Sequence, residues 1–129
     1  LSITKELKYK VEALSEILKI KIELIEGNHD KGCNIKNIPI YKTKTSLNLL
    51  YSHEPIDHKE TNLLNICGHY HPKVFIKKMN TKMSFKCFAL DEKKRNLYLP
   101  AFGDLTGGYA CKNEFKKWAI ISNKSILEI

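Results

Sequence analysis

The order of apolar and polar positions predicts one helix near the start of the chain, followed mainly by strands. Four apolar residues recur at steps of three and four, which is the spacing of one face of an α-helix: Leu7, Val11, Leu14 and Leu18. The predicted helix spans residues 4–19. Thr4 is a suitable N-cap, because its hydroxyl can accept a hydrogen bond from the first turn.

Three short apolar segments follow, and each ends in a polar tip that carries histidine. They are predicted as strands over residues 21–25, 47–51 and 63–67. The first leads to Asn28-His29-Asp30, the second to His53 and the third to Gly68-His69. Ligand sites in α/β sheets lie outside the carboxyl ends of strands, so the three tips are expected to converge on one site.

The remainder is predicted as surface loops and further strands. Residues 31–46 and 54–62 are polar and turn-rich, which favours surface loops. Further strands are predicted over residues 74–78, 83–90, 96–100 and 117–122, with an edge strand over residues 125–129. The pattern predicts a single α/β domain over residues 1–129, with mixed sheets that are largely antiparallel in the second half.

Composition narrows the class of protein. The chain has 129 residues, of which 43% are hydrophobic, so it can form one domain with a core of its own. No apolar run reaches the length of a membrane span and no segment is typical of a signal peptide, so we expect a cytoplasmic protein without membrane contact. Its four cysteines lie far apart, without a Cys-x-x-Cys pair, which favours reduced thiols.

The chain is basic, with 22 lysine and arginine residues against 14 acidic ones and a formal net charge of +8. A basic surface attracts phosphate groups and speeds association with nucleic acid. Arg95 is the only arginine, however, so the bidentate fork that favours phosphate and base recognition is scarce. The charge therefore permits a nucleic-acid substrate without identifying one.

The histidine tips contain residue types that bind divalent metals. His69 and His71 are two residues apart, and in an extended segment their imidazoles would point to the same side. Metal pairs in hydrolases are about 3.5–4 Å apart, so the two imidazoles could bind one ion each. The amide oxygen of Asn28 and the imidazole of His53, together with His69, would form a three-ligand site with room for water or a substrate oxygen.

His29 and Asp30 suggest general-acid chemistry beside that site. A carboxylate next to an imidazole raises its pKa and fixes its tautomer. A protonated imidazole could then protonate the leaving alkoxide of a phosphodiester, which is otherwise a poor leaving group.

Each motif taken alone also has a plainer interpretation. Gly, Asn and Asp are turn residues, so residues 27–30 could form an ordinary turn. Cys67, His69 and His71, if they share one strand face, could form a structural zinc corner. The Gly107-Gly108 pair is typical of a tight turn that needs positive φ.

In combination, the motifs resemble the signature blocks of the calcineurin-like metallophosphoesterases. Gly27-Asn28-His29-Asp30 is similar to the third block of that family, Ser52-His53 to its isolated histidine block, and Gly68-His69-Tyr70-His71 to its terminal block. The blocks occur in order and at suitable spacing, which is far more specific than any one of them alone.

The resemblance extends to one branch of the family. The segment 99–108, together with His71-Pro72 and Cys87-Phe88, resembles the bacterial phosphoesterases that are associated with DNA ligase and helicase genes in DNA repair. The similar region covers residues 22–108.

The resemblance implies a dinuclear metal site. The implied ligands are Asn28, His53 and His69 for one ion and His71 for the other. A metal-activated hydroxide would attack phosphorus, with His29 near the leaving group and oriented by Asp30. The implied ion is Mn²⁺ first, with iron or zinc as alternatives, and imidazole with oxygen ligands suits all three. The implied substrate is a phosphoester, such as the phosphodiester of DNA.

One departure from the family is large. Its first two blocks, Asp-x-His and Gly-Asp, are absent before Gly27. The resemblance therefore implies the C-terminal part of a metallophosphoesterase-type α/β sandwich, with little or no hydrolysis by this chain alone. A companion N-terminal fragment or self-association would cover unpaired sheet edges. The alternative is a non-catalytic fragment that acts as a binding or assembly module for another chain or for DNA.

Overall fold

The computed structural model describes residues 5–57, 62–103 and 106–129, which contain one helix and eleven strands. The elements are α1 (Lys5–Leu18), β1 (Leu24–Ile25), β2 (Ile40–Tyr41), β3 (Thr43–Ser46), β4 (Leu49–Ser52), β5 (Leu64–Cys67), β6 (Pro72–Lys78), β7 (Thr81–Asp91), β8 (Asn96–Tyr98), β9 (Tyr109–Ala110), β10 (Lys116–Ser122) and β11 (Ser125–Glu128). The predicted helix is confirmed, and Thr4, its expected N-cap, lies outside the described residues.

Nine of the strands form one large sheet. Its order is β11-β10-β7-β8-β5-β4-β3, with β6 paired to β7 and β9 paired to β6. Five pairings are antiparallel, and the pairs β4–β5, β5–β8 and β6–β9 are parallel. The predicted fold class, a mixed α/β fold with largely antiparallel sheets, is confirmed.

The parallel strands in this sheet set the position of the histidine tips. Ser52 at the end of β4 pairs with Cys67 at the end of β5, and Cys67 pairs with Tyr98 at the end of β8. The three strands therefore end at the same edge of the sheet, and the segments after β4 and β5 emerge side by side.

The prediction of a surface loop over residues 31–46 is wrong in its second half. Ile40 and Tyr41 pair in parallel with Leu24 and Ile25 to form a second, two-stranded sheet, and β3 pairs with β4. These strands are short, and β3 is polar with alternating exposure, so no apolar run marks them in the sequence.

The β3–β4 hairpin also corrects the start of the predicted strand 47–51. Leu47 and Asn48 have φ angles of 52° and 60° and form the turn, so the strand begins at Leu49. Two successive residues with positive φ are typical of tight hairpin turns, whose twist matches that of the flanking strands.

The strands of the second half agree with the sequence to within a few residues at each end. The β6–β7 hairpin is longer than predicted, and β11 is an edge strand, as expected. The short strand β9 was not predicted, because two exposed residues carry no periodic signal. The predicted first strand, over residues 21–25, shrinks to Leu24–Ile25.

The core consists of two small clusters on one face of the large sheet. One contains Cys67, Ala89, Tyr98 and Phe115, and the other contains Val74, Cys87 and Ala119. Cys111 packs against both clusters. The four cysteines are free thiols, as predicted.

A second face of the same sheet carries an open apolar groove of about 410 Å³. Its lining residues are Leu64, Phe88, Leu90, Leu97, Trp118 and Ile126. Among the described residues, those that line this groove are all apolar, so it leaves a hydrophobic surface in contact with water.

No described residue of helix α1 is among those that line this groove. Leu14 and Leu18 of its apolar stripe are 47% and 53% exposed, and the Glu12 carboxylate accepts a hydrogen bond from the Lys36 backbone at 2.9 Å. Among the described residues, no helix is both long enough and apolar enough to cross a membrane.

Gly108 has a steric role that differs from the expected turn. Neither Gly107 nor Gly108 has positive φ. A Cβ at Gly108 would lie 2.5 Å from the His71 carbonyl oxygen, where the Tyr109 N–H donates a hydrogen bond of 3.2 Å. A Cβ at Gly107 would meet nothing within 4 Å. Glycine at 108 therefore lets β9 approach the histidine segment.

The variants Gly108→Ala and Gly107→Ala test this contact. We expect G108A to lower the free energy of unfolding by about 1–3 kcal/mol, because the added methyl must displace backbone. G107A should change it by less than about 0.5 kcal/mol, since its site is open. Urea denaturation of both variants measures the difference, and equal stabilities would refute the steric role.

Candidate metal centre

Two of the histidine tips are tied together by backbone. His53 follows β4 and Gly68 follows β5, and the Gly68 N–H donates to the His53 carbonyl oxygen at 3.1 Å. This bond continues the parallel pairing one step beyond the strands, so the side chains that follow start from adjacent positions.

The third tip is a tight turn after β1. The Glu26 N–H donates to the Tyr41 carbonyl at 2.8 Å, which holds the entry to the turn against β2. The turn itself is closed by Asp30, whose N–H donates to the Gly27 carbonyl at 3.1 Å and whose carboxylate accepts from the Gly27 N–H at 3.2 Å. Asn28 and His29 are therefore displayed at an exposed apex.

The structure brings together Asn28, His53 and His69, one residue from each tip. Asn28 Oδ1 lies 3.0 Å from His53 Nε2, and His69 Nδ1 lies 3.1 Å from the same nitrogen. The two imidazole rings meet edge to face, with centroids 5.0 Å apart. The three side chains share one location, while their role as metal ligands stays a prediction.

The donor set fits a divalent ion. Two ligand atoms at a right angle around an ion, each about 2.1 Å from it, are about 3.0 Å apart. The contacts at His53 Nε2 have this separation.

The fit depends on the amide. Across the described parts of the chain, no three His, Cys, Asp or Glu side chains are grouped closely enough to hold a metal ion. The candidate centre therefore consists of two imidazoles and the Asn28 oxygen, a neutral set without a carboxylate.

Burial at His53 favours the neutral form of its imidazole. Partial burial lowers its pKa below the ordinary value of 6.5, and the neighbouring His69 lowers it further, while Glu54 and Asp30 oppose the shift. Burial also lowers the pKa of His71, with His69 and Lys73 acting in the same direction. Neutral imidazole has the lone pair that a metal requires.

The extended geometry expected for His69 and His71 is wrong. Strand β5 ends at Cys67, and both histidines have positive φ, 56° and 48°. Tyr70 lies between them, and its hydroxyl donates to the Ala110 carbonyl at 2.9 Å. The histidines lie on a tight turn rather than on one strand face. In the described contacts, His71 does not join the bonded group of Asn28, His53 and His69.

These φ angles mark stored strain. Non-glycine residues in the left-handed region cost of order 1–3 kcal/mol and persist only where the surroundings impose them. Here the Tyr70 N–H bonds to the Gly68 carbonyl at 2.6 Å, and the His71 carbonyl is fixed by Tyr109. Such strain is typical of sites where side-chain placement matters more than local stability.

The predicted pairing of His29 with Asp30 is not found. The Asp30 carboxylate binds the Gly27 N–H, and the His29 ring nitrogen Nε2 lies 3.3 Å from the Asn28 amide nitrogen. The carboxylate is used to close the turn, because a short Asp side chain reaches the backbone three residues earlier more readily than a neighbouring ring. His29 remains exposed beside the centre.

The alternative of a zinc corner with Cys67 does not fit. Cys67 is 1% exposed, and burial raises its pKa to about 12. Its thiol donates to the Leu97 carbonyl at 3.7 Å. The thiol packs in the core with Ala89, Tyr98 and Phe115, and in the described contacts it meets neither His69 nor His71.

A buried polar network behind His53 was missed in the sequence. Asn65 and Asn96 are fully buried, and the Asn65 amide donates to Asn96 Oδ1 at 2.8 Å. Asn96 also donates to the Ile56 carbonyl at 2.9 Å and accepts from the Ile56 N–H at 3.1 Å. Ser52 donates to Asn65 Oδ1 at 3.0 Å. The network clamps the chain on both sides of His53.

Asn65 could have been noticed in the sequence. It stands alone as a polar residue inside the apolar run 63–67. A buried amide within a strand must find hydrogen-bond partners, and this requirement is a signal of a specific network.

Gly27 permits the contact between two tips. A Cβ at this position would lie 2.9 Å from both Cε1 and Nδ1 of the His53 ring. A Cβ at Gly68 would meet only the His53 carbonyl, at 3.9 Å. Gly27 is thus required by close approach, whereas Gly68 is not.

A cleft of about 440 Å³ opens beside Asn28 and His53. Its lining residues are Glu26, Gly27, Asn28, Lys31, Lys42, Thr43, Ser52, His53, Glu54, Pro55 and Ile56. Of the segment 99–108, Asp104 and Leu105 lie outside the described residues, and the Gly103 carbonyl accepts a hydrogen bond of 3.0 Å from Lys86.

The fold is similar to that of a solved nuclease. It matches the crystal structure of the Pseudomonas putida nuclease MPE over 90% of this chain, with 26% sequence identity and a TM-score of 0.71. The chain spans 58% of the length of that nuclease. No family model and no curated protein matches the chain. The similarity is one of fold.

The lowered pKa values predict how stability depends on pH. In the unfolded chain, His53 and His71 take up protons near their ordinary pKa of 6.5, whereas in the folded chain they do so at lower pH. The unfolded state therefore binds more protons as pH falls through 6.5, and stability is lost in that direction.

Urea denaturation at a series of pH values measures this effect. We expect the free energy of unfolding to rise with pH between the lowered pKa values and neutrality, and to rise less steeply in His53→Gln. The lowered pKa of Glu23 affects the free energy of unfolding only at pH values near and below 4.5, its ordinary pKa, so it does not interfere with this measurement. A free energy that is flat or falls with pH would show that the imidazoles are not shifted as described.

Proposed function

We propose that this chain carries the metal-binding tips of a phosphodiester hydrolase of the calcineurin-like type that acts on nucleic acid. The observation that carries the proposal is the meeting of Asn28 Oδ1 and His69 Nδ1 at His53 Nε2. The similarity to a nuclease supports the same class of reaction. The chain spans 58% of the length of that nuclease. The proposed activity therefore refers to a complete enzyme that contains this chain.

In this proposal, Asn28, His53 and His69 hold one divalent ion. Mn²⁺ is the first candidate, with iron and zinc as alternatives, since imidazole and amide oxygen suit all three. A divalent ion held by these residues would supply Lewis acidity. The lowered pKa of His53 favours binding at neutral pH, because the metal does not have to displace a proton from the ring.

His71 and His29 have separate proposed roles. His71 lies near enough to His53 to lower its pKa and would contribute to a second ion. Among the described residues, no carboxylate completes that second site, so this chain alone should bind one ion well and hydrolyse slowly. His29 is exposed at the apex next to Asn28, where it can protonate a leaving alkoxide. Asp30 supports it indirectly, by closing the turn.

Calorimetric titration with Mn²⁺ tests the ligand set. We expect one ion per chain, and at least about tenfold weaker binding in Gly27→Ala, because the methyl displaces the His53 ring from Asn28. Gly68→Ala is the matched control and should bind within about threefold of the natural chain, since its Cβ has room.

Two results would contradict the proposal. Equal Mn²⁺ affinity in G27A and G68A would mean that the ion does not use the His53 ring. Rapid hydrolysis of bis(p-nitrophenyl) phosphate by this chain alone would mean that it holds a complete dinuclear site, contrary to the single set of ligands proposed here.

A second candidate function is association with another chain. The observation that favours it is the groove of about 410 Å³ on the large sheet, whose lining is apolar in the part of the chain that the structure describes. Apolar surface of this kind is typical of protein interfaces. The occupant would be a companion fragment or a second copy of this chain.

Sedimentation velocity tests self-association through the groove. We expect the sedimentation coefficient of the natural chain to rise with concentration. The Ile126→Lys variant, which places a charge in the groove, should keep the sedimentation coefficient of a monomer at every concentration. Leu47→Lys is the control, because Leu47 is 89% exposed in the β3–β4 turn and lies outside the groove lining. If the natural chain is a monomer at every concentration, self-association through the groove is wrong. The companion fragment would then be the occupant to test.

A further inference from the structure

Two of the free thiols, those of Cys87 and Cys111, lie side by side. Cys87 is a fully buried residue of β7 and belongs to the core cluster with Val74 and Ala119. Cys111 follows β9 and packs against that cluster. The Cys87 thiol donates a hydrogen bond to the Cys111 sulfur. The pair is made by the fold, because the two cysteines are distant in sequence.

The backbone holds both cysteines in place. The Cys111 N–H donates to the Lys73 carbonyl at 2.9 Å, which ties the residue to β6. Cys87 pairs with Ala119 in the ladder between β7 and β10. The two sulfurs are therefore neighbours in the intact sheet, and no opening of the fold is needed for them to meet.

A fixed positive charge lies near the pair. The Lys117 ammonium donates to the carbonyls of Lys112 and Asn113, at 3.2 and 3.3 Å, which anchors it at the turn after Cys111. The hydrogen bond from Cys87 lowers the pKa of Cys111, and the charge of Lys117 lowers it further, while burial opposes the shift. The same hydrogen bond and burial raise the pKa of Cys87. Cys111 is thus the thiol that ionises first.

The two thiols also differ in access. Cys111 is half-buried, so a small oxidant can reach its sulfur, whereas Cys87 is closed off in the core. Thiols that respond to oxidants are accessible, ionise readily and lie beside a second thiol that completes a disulfide. Cys111 meets the first two conditions and Cys87 supplies the third.

We propose that Cys111 and Cys87 form a dithiol that hydrogen peroxide converts to a disulfide. The Cys111 thiolate attacks one peroxide oxygen and the O–O bond breaks, which gives a sulfenic acid at Cys111 and hydroxide. The Cys87 sulfur then attacks the Cys111 sulfur, the S–O bond breaks, and the hydroxyl leaves as water with the Cys87 proton. The thiols lose two electrons and peroxide accepts them. This inference does not depend on the proposed function.

The disulfide would join β7 to the segment that supports the histidine turn. The Tyr109 N–H donates to the His71 carbonyl at 3.2 Å. The Ala110 carbonyl accepts from the Tyr70 hydroxyl at 2.9 Å. Oxidation would therefore add a covalent restraint directly after the residues that hold this turn.

Peptide mapping by mass spectrometry tests the disulfide. The natural chain is treated with hydrogen peroxide in chelator, quenched in acid and digested without reduction. We expect a pair of peptides linked through Cys87 and Cys111, which dithiothreitol separates. Cys33→Ser is the matched control, because Cys33 is also half-buried, and it should form the same link to within about twofold. A link from Cys111 to another cysteine, or oxidation of Cys33 while Cys111 stays reduced, would overturn the proposal.

Trapping of the sulfenic acid with dimedone tests the separate roles of the two thiols. In Cys87→Ala the second thiol is missing, so the Cys111 adduct should be at least about tenfold more abundant than in the natural chain. In Cys111→Ser, a change at a half-buried site, Cys87 should stay reduced. Equal adduct in C87A and the natural chain, or oxidation of Cys87 in C111S, would refute these roles.

The effect of Lys117 is tested by the rate of disulfide formation. Lys117→Gln should slow it by at least about threefold, because a nearby positive charge favours the thiolate. Lys116→Gln is the control on the same strand, since the Lys116 ammonium pairs with Glu92 at 2.8 Å, and it should keep the natural rate. Equal rates in the two variants would overturn the role of Lys117.

Discussion

The parallel pairing of β4 with β5 is the constraint on which the candidate centre depends. With Ser52 opposite Cys67, the two strands end level and the next residues, His53 and Gly68, are joined by a backbone hydrogen bond. A slip of one residue would turn every side chain of a strand to the other face of the sheet. Asn65 would then leave the buried network that it shares with Ser52 and Asn96. The amides thus fix the register of the strands and, through it, the place of the imidazoles.

Much of this arrangement could be predicted from the sequence, for a physical reason. Apolar runs that end abruptly at glycine or histidine mark buried strands with polar tips, and three such tips were found in the correct order. Features that depend on contacts between distant segments could not be predicted. The strands β2 and β3 exist because partners are available, not because their own residues alternate clearly. Whether a glycine is needed for its φ angle or for close approach, as at Gly108, depends on a neighbour that is distant in sequence.

The errors at the site itself have a common cause. The spacing of His69 and His71 predicts an extended chain, whereas the turn around Tyr70 gives both residues positive φ. The adjacent positions of His29 and Asp30 predict a pair, whereas the Asp30 carboxylate closes its own turn. In both cases hydrogen bonds within the local turn determine where the side chains lie. The same hydrogen bonds expose Asn28 and position the histidines, so turns rather than regular strands form the candidate centre.

The protonated state of Cys67 has a practical consequence. This thiol immediately precedes the histidine turn, yet its pKa of about 12 leaves almost no thiolate at neutral pH. Alkylating reagents attack the thiolate, so they should bypass Cys67 while the sheet is intact and label it once the core opens. Because Cys33 and Cys111 are only half-buried and contact with Cys87 lowers the pKa of Cys111, iodoacetamide would report on the integrity of the fold only where the label is located at Cys67 itself.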